Sequence, residues 1–382
     1  MALKASSRGQ VPPFLVMDVM RDAAQLEKAG RNILHLEVGQ PSTGIPQQAS
    51  QYLQKILGEE RLGYTLTSGL PCLRERIAQH YLDTYQVEVE PKRIFVTTGS
   101  SAGFLLAFLA AFDSGDRVAV PCPGYPAYRH ILNSIGVDTP LLSVDHESRF
   151  QPTVQLLEAL PEIPDGIIVA SPSNPTGTVI PDKALREITH YCDVNGIRLI
   201  SDEIYHGISY GSEPVTIAAL SSSALVINSF SKYYSMTGWR LGWMVVPEDL
   251  QRSIECLSQN LFISPPALSQ FGGMQVFECL DELEENISRY KKNRLILLHG
   301  LPLAGFKNLA PVDGAFYVYA DVRHLTDDSQ SFCNKMLWEA GVAATPGIDF
   351  DPINGKHYVR FSFAGTNADM EEACLRLQEW LK

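Results

Sequence analysis

The stretch IRLISDEIY (197–205) and, further along, ALVINSFSK (224–232) decide the fold class of this chain. Each begins with a run of branched apolar residues, which is typical of a strand buried on both faces, and each ends on polar residues. Asp202 closes the first run and Lys232 follows the second. Because ligands of parallel sheets bind beyond the carboxyl ends of the strands, polar residues at these ends are the first candidates for function.

Similar runs recur along the chain, and helical stretches such as 102–112 and 182–195 lie between most of them. The other runs are RIFVTTG (93–99), DRVAVPCPG (116–124), DGIIVASPSNPTG (165–177) and LGWMVVP (241–247). Alternation of apolar strands with helices predicts an α/β fold, in which a large domain has a mainly parallel sheet flanked by helices. The region from about 265 to 301 has the period of helices.

Towards the C-terminus the pattern changes to GAFYVYADV (314–322), a helix near 331–340, HYVRFSF (357–363) and a terminal helix. This pattern predicts a second, smaller α/β domain. No long Gly/Ser linker separates the two, so we expect them to share an interface. We divide the chain into an N-terminal arm with part of the small domain, a large domain and a small C-terminal domain: 1–40, 41–280 and 281–382.

Composition excludes several classes of protein. Apolar residues make up 45% of the 382 residues and charged residues 19%, which is a globular rather than a disordered profile. The 31 basic and 43 acidic residues give a net charge of −12, which disfavours nucleic acid as a partner and requires a local cationic pocket for any anion. Seven scattered cysteines, no metal-binding motif, no signal peptide and no membrane-length apolar segment predict a cytoplasmic protein without a membrane partner.

The turn GSSAG (99–103) lies between a predicted strand and a predicted helix and allows three interpretations. It matches the G-x-S-x-G nucleophile elbow of α/β-hydrolases, with Ser101 as the nucleophile. The oxyanion motif that a hydrolase also needs is missing upstream. The turn can instead hold a phosphate dianion on backbone amides and the hydroxyls of Ser100 and Ser101, or it can simply cap an apolar helix.

The segment SFSK (229–232) places an amine at a strand end among aromatic residues. Removal of water makes such a lysine lose its proton more readily, as a Schiff-base nucleophile requires. Arg240 follows eight residues later, and with Ser229 and Ser231 it could bind an anionic cofactor group. A solvated surface lysine and arginine remain the alternative.

Three further residues have a functional and a structural interpretation each. Asp202, followed by Tyr205, either caps the next helix or pairs with a cation such as a protonated ring nitrogen. Asn174 in SPSNPTG (171–177) either completes a turn or donates hydrogen bonds. Arg360, in an otherwise apolar strand, either forms a structural salt bridge or binds a carboxylate with its planar fork.

Together these residues provide a phosphate cup, an amine, a counter-ion for a protonated ring, an amide donor and a carboxylate fork. In this combination and order the chain resembles the fold-type I pyridoxal-phosphate enzymes, specifically the class I/II aminotransferases related to aspartate aminotransferase. The resemblance rests on SxSNPTG, Asp202-x-x-Tyr205, Ser-x-Ser-Lys232 with Arg240 eight residues on, and Arg360. It extends from VGQPSTGIP (38–46) and GYTLTSGLPCLRERIA (63–78) to the final helix.

The resemblance implies a role for each residue around the cofactor pyridoxal 5'-phosphate. Lys232 would hold it as an aldimine and move the substrate proton, and Asp202 would keep the ring nitrogen protonated. Tyr205 and Asn174 would hydrogen-bond the ring oxygen, and Tyr125 would stack on the ring. The residues implied to hold the phosphate are Ser100, Ser101, Ala102, Ser229, Ser231 and Arg240.

The resemblance also implies how substrate and a second subunit bind. Arg360 would grip the substrate carboxylate, assisted by Asn174 and the backbone near Gly39. Tyr64 would reach the phosphate of a neighbouring subunit, so a homodimer with shared active sites is expected. Residues 11–15 would lie near the dimer interface and the active site, and the bond between Asn174 and Pro175 would be cis.

Two departures from the family pattern bear on the substrate. Gln259 stands where the dicarboxylate-specific branch has an arginine from the partner subunit, and Ser101 stands where a related branch has a lysine. We therefore expect transfer from a neutral or aromatic L-amino acid to a 2-oxo acid such as 2-oxoglutarate, by a ping-pong route through pyridoxamine phosphate. The alternatives are a C–S or other β-elimination lyase of the same fold, a serine hydrolase using Ser101, and a non-catalytic regulator, for which a DNA-binding domain is missing.

Overall fold

The computed structural model describes residues 3–211 and 213–382. Its α-helices are α1 (Leu15–Lys28), α2 (Gln47–Glu59), α3 (Pro71–Tyr85), α4 (Gly99–Ala111), α5 (Pro126–Ile135), α6 (Val154–Glu158), α7 (Asp182–Asn195), α8 (Gln251–Leu261), α9 (Ala267–Val276), α10 (Leu280–Leu303), α11 (Ser329–Lys335) and α12 (Asn367–Trp380). No helix in the described ranges is long and apolar enough to cross a membrane.

The strands form three sheets. They are β1 (Leu34–His35), β2 (Ile94–Thr97), β3 (Val118–Cys122), β4 (Leu141–Ser143), β5 (Gly166–Ala170), β6 (Arg198–Asp202), β7 (Leu225–Ser229), β8 (Gly242–Val245), β9 (Asn308–Leu309), β10 (Tyr317–Asp321), β11 (Val342–Ala343), β12 (Thr345–Pro346) and β13 (Tyr358–Ser362). Each run predicted to form a strand contains one, but the run 165–177 is a strand only over Gly166–Ala170, and the short strand β4 was not predicted.

The large sheet has seven strands in the order β2-β8-β7-β6-β5-β3-β4. Strands β4, β3, β5, β6 and β7 are parallel, whereas β8 runs antiparallel to both β7 and β2. The segment between β7 and β8 contains a short 3-10 turn and no helix that could cross the sheet, so β8 returns in the opposite direction. The expected α/β fold with a mainly parallel sheet is confirmed.

Helices cover both faces of this sheet, and their ends follow ordinary capping chemistry. Pro71 and Pro126 occupy the first turns of α3 and α5, where a missing N–H has no effect on the helix. Thr366 and Asp369 form a reciprocal capping box at the start of α12. The central strands β5 and β7 are buried along their whole length, because helices pack on each side of them.

The C-terminal part of the chain forms the smaller sheet, antiparallel, in the order β12-β13-β10-β9. Strand β1 pairs with β11, so residues 34–35 join the C-terminal region rather than the large sheet. The domain boundaries at residues 40 and 280 stay a prediction.

Two helical regions differ in detail from the expectation. The region from about 265 to 301 consists of two helices, α9 and α10, with a break between them at 277–279. Phe277 and Cys279 are both buried there, and a continuous helix would point residues two positions apart to opposite faces. Near 331–340, α11 ends at Lys335 and a π-helical turn continues to Ala340.

Candidate active site

A cavity of about 210 Å³ lies where the carboxyl ends of β5, β6 and β7 meet the edge of the smaller sheet. Eleven of the residues singled out from the sequence line it together: Gly39, Ser100, Ser101, Tyr125, Asn174, Asp202, Tyr205, Ser231, Lys232, Arg240 and Arg360. The structure therefore brings into one place side chains that are up to 321 positions apart in the chain, from Gly39 to Arg360. The prediction that polar residues at the strand ends share one site agrees with this arrangement.

Lys232 extends into this cavity from the loop after β7. Its Nζ donates a hydrogen bond of 2.6 Å to the carbonyl oxygen of Gly39 and lies 5.7 Å from the centre of the Tyr205 ring. Burial lowers the pKa of the Lys232 amine from 10.5 to about 8, with the positive charge of Arg360 acting in the same direction. At pH 7 about a tenth of the amine is therefore neutral, far more than for a lysine with the ordinary pKa.

Asp202 is 4% exposed at the end of β6. Its Oδ2 accepts a hydrogen bond from the Tyr128 hydroxyl, and its Oδ1 accepts one of 3.1 Å from the backbone N–H of Ile204. Burial raises the pKa of the Asp202 carboxyl from 3.8 to about 6, while these hydrogen bonds oppose the rise. Asp202 is still mostly ionised at pH 7, so it offers a negative charge to any cation placed beside it.

A pair of buried tyrosines forms another wall of the cavity. The hydroxyl groups of Tyr205 and Tyr317 are 2.6 Å apart, so one donates to the other. Burial raises the pKa of Tyr205 well above 10, and both groups stay protonated. Gly39 lies directly against Tyr317, and a Cβ at that position would overlap the Tyr317 hydroxyl. This close approach explains why a glycine occupies the position whose carbonyl holds Lys232.

Arg360 closes the side of the cavity formed by the smaller sheet. It is 3% exposed in β13, and its guanidinium stacks on the rings of Tyr317 and Phe350 at 4.4 and 4.7 Å from their centres. Nη1 donates to Asn174 Oδ1 at 2.8 Å, and Nη2 donates to Thr345 Oγ1 at 3.1 Å and to the Glu37 carbonyl. Its Nε has no partner within the described chain. A structural salt bridge, the alternative interpretation of this residue, is not formed with any described residue.

The opposite end of the cavity is built by the first turn of α4. Ser100 and Ser101 lie in that turn, and the residue before the helix provides no side-chain cap for its first amides. Arg240 approaches the same turn and donates 2.9 Å to the Thr237 carbonyl. A Cβ on Gly99 would lie 2.5 Å from Arg240 Nη2, and the φ of Gly99 is +75°. A glycine is thus required for the guanidinium to lie over the helix start.

Three predicted site residues do not line the cavity. Ala102 is buried within α4, and Ser229 uses its hydroxyl for a 2.9 Å bond to Ser231 Oγ, so it supports the site from behind. Tyr64 is 84% exposed on the surface of the chain. A role of Tyr64 in a second subunit, which the resemblance implies, therefore stays a prediction.

The charges that face the cavity are unequal. Lys232, Arg240 and Arg360 line it, and Asp202 is the one acidic side chain among the described residues that do so. Within the described part of the chain, none of the three cations forms a salt bridge. On a chain with a net charge of −12, this is the local cationic pocket that an anionic ligand would need.

The residues that line the cavity fit pyridoxal phosphate. The uncapped start of α4, two hydroxyls and Arg240 suit a phosphate, and the lowered pKa of Lys232 suits condensation with an aldehyde. Asp202 offers a carboxylate for a protonated ring, and the guanidinium of Arg360, which lines the cavity without a salt bridge to any described residue, suits a carboxylate.

The serine hydrolase interpretation finds no support in this geometry. No histidine lines the cavity among the described residues, and neither Ser100 nor Ser101 has a side-chain hydrogen bond there to a histidine. A hydroxyl without a neighbouring base is a poor nucleophile. The G-x-S-x-G turn is an ordinary helix start that exposes two hydroxyls.

Several residues of the site were missed in the sequence. Tyr128, whose hydroxyl donates to Asp202, lies three residues after Tyr125 in PCPGYPAY. Tyr317, which pairs with Tyr205, lies within GAFYVYADV. Neither motif indicates by its spacing which residue the tyrosine contacts. An apolar wall was also missed. It comes from the start of α1 and consists of Phe14, Val16, Met17 and Met20. Of residues 11–15, expected near the active site and a dimer interface, Phe14 lines the cavity, and the dimer interface stays a prediction. The bond from Asn174 to Pro175 is cis, as expected.

Comparisons with known proteins point in one direction. Residues 31–377 match the family model described as aminotransferase class I and II. Valine–pyruvate aminotransferase of Mycobacterium tuberculosis is 48% identical over 99% of this chain and 98% of its own length. A (5-formylfuran-3-yl)methyl phosphate transaminase of Methanocaldococcus jannaschii is 35% identical over 96% of each chain.

Solved structures agree with these relatives. The crystal structure of an aminotransferase from Mycobacterium tuberculosis superimposes with a TM-score of 0.98 at 48% identity, covering 100% of this chain and 99% of that one. Aspartate aminotransferase from Thermus thermophilus, solved with maleate, gives a TM-score of 0.93 at 26% identity, covering 99% and 100% of the two chains. The expected aspartate aminotransferase-like fold is confirmed.

Proposed function

This chain belongs to the aminotransferase class I and II family, whose members use pyridoxal phosphate, and we propose that it binds this cofactor through Lys232 to transfer the amino group of a neutral L-amino acid to a 2-oxo acid. The observation that carries the proposal is the cavity in which Lys232, Arg240 and Arg360 face Asp202 without forming ion pairs within the described chain. A cofactor phosphate and a substrate carboxylate would complement the two arginines.

Bound pyridoxal phosphate supplies an aldehyde for the amino group and an electron-withdrawing ring that stabilises negative charge at the substrate α-carbon. Lys232 contributes an amine that is neutral in part at pH 7 and is aimed by its bond to the Gly39 carbonyl. When it is not bonded to the cofactor, that amine would be able to take up and return the α-proton of the substrate.

Asp202 would hold the proton on the ring nitrogen. Its carboxylate is ionised above pH 6, and the Tyr128 hydroxyl keeps it oriented. A cation beside it would lower the pKa of Asp202 below this raised value, since opposite charges favour each other's ionised forms. Tyr205 and Asn174 would donate to the ring oxygen, and Tyr125 would cover one face of the ring. Tyr125 is packed edge-on against Tyr128, with ring centres 5.3 Å apart.

The phosphate would lie on the first turn of α4. Ser100, Ser101 and Ser231 provide hydroxyls, the helix start provides amides including that of Ala102, and Arg240 provides the charge. Ser229 would act through its bond to Ser231. Arg240 is exposed in the single chain, which leaves it accessible to a ligand.

Arg360 would hold the carboxylate of the amino acid and, in the second half of the reaction, that of the 2-oxo acid. Its stacking on Tyr317 and Phe350 fixes the plane of the guanidinium, and Asn174 and Thr345 fix its rotation. Because the guanidinium is already fixed in this way, it loses little conformational entropy when a substrate carboxylate binds to it. Gly39 contributes backbone next to the same position.

We propose a homodimer with shared active sites. Tyr64 and its neighbours Leu62 and Leu66 are 84%, 39% and 60% exposed, an apolar surface that a second copy would cover. We also propose the cytoplasm as the location, because the seven cysteines, all in the described ranges, form no disulfide. The division into 1–40, 41–280 and 281–382 is proposed with them.

The donor is proposed to have an apolar side chain, such as that of valine, with pyruvate as a 2-oxo acid to test first. Phe14, Met17 and Met20 form an apolar wall, and the described residues that line the cavity offer no cation for a second carboxylate beyond the three assigned above. The name of the 48% identical relative agrees with this choice. Gln259, at the position of the partner arginine in the dicarboxylate branch, is uncharged.

The proposal is tested with a panel of amino donors and 2-oxo acceptors on the purified holoenzyme. We expect kcat/KM for valine with pyruvate to exceed that for aspartate with the same acceptor by about tenfold or more, the discrimination that burying an unpaired charge imposes. A preference for aspartate would contradict the substrate class. Release of ammonia from a single amino acid without an acceptor would instead establish the lyase.

A further inference from the structure

The first turn of α1 is held by a residue from the other end of the chain. Phe14, at the N-cap position, provides no side-chain cap. Asp349 takes that place, accepting hydrogen bonds from the backbone N–H of Leu15 at 3.0 Å and of Val16 at 3.4 Å. Asp349 lies in the turn between β12 and β13, is 6% exposed, and is 334 positions from Leu15.

The turn that Asp349 holds is the one that faces the cavity. Phe14 and Met17 line the cavity from this turn, and the Phe14 ring packs edge-on against Tyr125 with their centres 5.8 Å apart. The remainder of α1 has a separate anchor. Ala23 and Leu26 are buried against Leu337 and Ala343 of the C-terminal region.

The residues beside Asp349 contact the carboxylate-binding end. The ring of Phe350 lies 4.7 Å from the Arg360 guanidinium, and its carbonyl accepts a 3.2 Å bond from the N–H of Gly124, next to Tyr125. The Asp349 carbonyl accepts a 3.3 Å bond from Arg129 Nη2. One short turn therefore connects Arg360, the neighbourhood of Tyr125 and the start of α1.

We propose that Asp349 is a positioning residue, which sets the apolar wall of Phe14 and Met17 at a fixed distance from Arg360 and thereby selects donors with an apolar side chain. This proposal rests on the proposed function. A donor presents its carboxylate and its side chain at a fixed separation, so the enzyme must hold the two contact surfaces at a matching separation. The turn 347–351 spans that separation.

A purely structural role would have different consequences. If Asp349 only stabilised the fold, its removal would lower thermal stability and affect all donors alike. As a positioning residue it affects long apolar side chains more than alanine, whose methyl group gains less from the wall because each buried CH₂ contributes roughly 0.8 kcal/mol.

The test compares Asp349→Ala with Asp349→Asn, because asparagine caps a helix about as well as aspartate. In Asp349→Ala, we expect kcat/KM for valine to fall by about five- to tenfold, mainly through KM, the factor expected when a helix cap of ordinary strength is lost. For alanine as donor we expect a change below about twofold, and Asp349→Asn should restore most of the valine activity.

Asp351→Ala is the matched control. Asp351 is also buried in the same turn, but its Oδ1 accepts from the N–H groups of Ile353 and Asn354 at 2.7 and 2.9 Å and from the Cys122 thiol at 3.1 Å. It makes no hydrogen bond to α1. We expect it to leave the ratio of valine to alanine activity unchanged. The same shift in this control would overturn the proposal, since the effect would then belong to the turn as a whole.

Met17→Ala supplies a second check through a double-mutant cycle. If Asp349 acts through the wall, adding Asp349→Ala to Met17→Ala should lower valine kcat/KM by less than the single substitution does. Full additivity would contradict the proposal.

Hydrogen exchange of the free holoenzyme separates this inference from the proposed function. In Asp349→Ala, the amides of residues 15–18 should exchange faster by a factor of about five to ten, and those of residues 23–28 should be unchanged. Unchanged exchange at 15–18 would overturn the contact itself. Absence of amino transfer in the wild-type enzyme would instead overturn the proposed function, whatever the exchange shows.

Discussion

Arg360 and Arg240 lie at opposite ends of one cavity and are held in different ways. Arg360 is 3% exposed, packed on two aromatic rings, and bonded to Asn174, Thr345 and the Glu37 carbonyl. Arg240 is exposed and makes one hydrogen bond, to the carbonyl of Thr237 only three residues away. The two side chains carry the same charge, but the surrounding residues fix the conformation of Arg360 much more tightly than that of Arg240.

The difference matches what each end is proposed to bind. A substrate must bind and leave in every cycle, so its carboxylate gains from a guanidinium that is already fixed. A cofactor phosphate stays bound through many cycles. The Arg240 side chain therefore has to become ordered only once, when the cofactor binds. The proposed substrate end of the cavity is therefore rigid, and the proposed cofactor end is adaptable.

Among the substitutions that test this difference between the two ends, Arg360→Ala is expected to change kcat/KM the most. If Arg360 holds the substrate carboxylate as proposed, Arg360→Ala would remove about two charge-assisted hydrogen bonds to it, and kcat/KM should fall by about 10³-fold for every donor and acceptor. Arg360→Lys should recover only part of this, since an ammonium cannot reproduce the planar fork. Steady-state kinetics with valine and pyruvate measure both. A loss confined to one of the two substrates would show that Arg360 is not the shared carboxylate site.

Substitution of Arg240 should act on cofactor binding rather than on the substrate. For Arg240→Gln we expect the Kd of pyridoxal phosphate to rise by about 10- to 100-fold, the range for losing a hydrogen bond to a charged group. With saturating cofactor, the KM for valine should stay within about threefold of wild type. Fluorescence titration of the apoprotein measures the Kd. A changed KM at full cofactor occupancy would remove the proposed division between the two ends.

Lys232, between the two ends, gives a prediction in pH. Only the neutral amine attacks an aldehyde, and its folded-state pKa is about 8 instead of 10.5. The rate of covalent cofactor uptake should therefore rise about tenfold per pH unit below 8 and level off above it. Stopped-flow absorbance of the apoprotein mixed with pyridoxal phosphate follows this rate. A rate still rising past pH 9.5 would indicate an unperturbed lysine.

The smallest effect is expected at Tyr317, which contacts Arg360 through its ring and Tyr205 through its hydroxyl. Tyr317→Phe keeps the ring that stacks on Arg360 and removes the hydroxyl that pairs with Tyr205. We expect kcat to fall by about fivefold, from loss of one hydrogen bond, with KM for valine unchanged. A raised KM with unchanged kcat would show that the hydroxyl, and not the ring, prepares Arg360 for the carboxylate.

The sequence predicts those parts of the site that follow from the ends of strands. Asp202 and Lys232 each end or follow a strand, and adjacent parallel strands bring such positions to one edge, so their proximity could be expected. Arg360 stood out because a guanidinium is unusual in an apolar strand. The roles of these residues were inferred from the resemblance to the family, in which the same motifs occur in the same order along the chain.

The rest depended on contacts that no local pattern reports. Tyr128 reaches Asp202, and Asp349 reaches Leu15, only because separate elements pack together, and each residue alone looks like an ordinary core or turn residue. Ser229 was expected to face the phosphate, but the packing of β7 turns its hydroxyl to Ser231. Tertiary packing decides such orientations, and the spacing along the chain does not encode them.

The covalent role of Lys232 is tested most directly by borohydride reduction of the cofactor-loaded enzyme, followed by peptide mass mapping. We expect the cofactor to become fixed to the peptide containing Lys232, and we expect prior incubation with valine without acceptor to prevent this. Fixation on another lysine, or equal labelling of Lys232→Ala, would contradict that role.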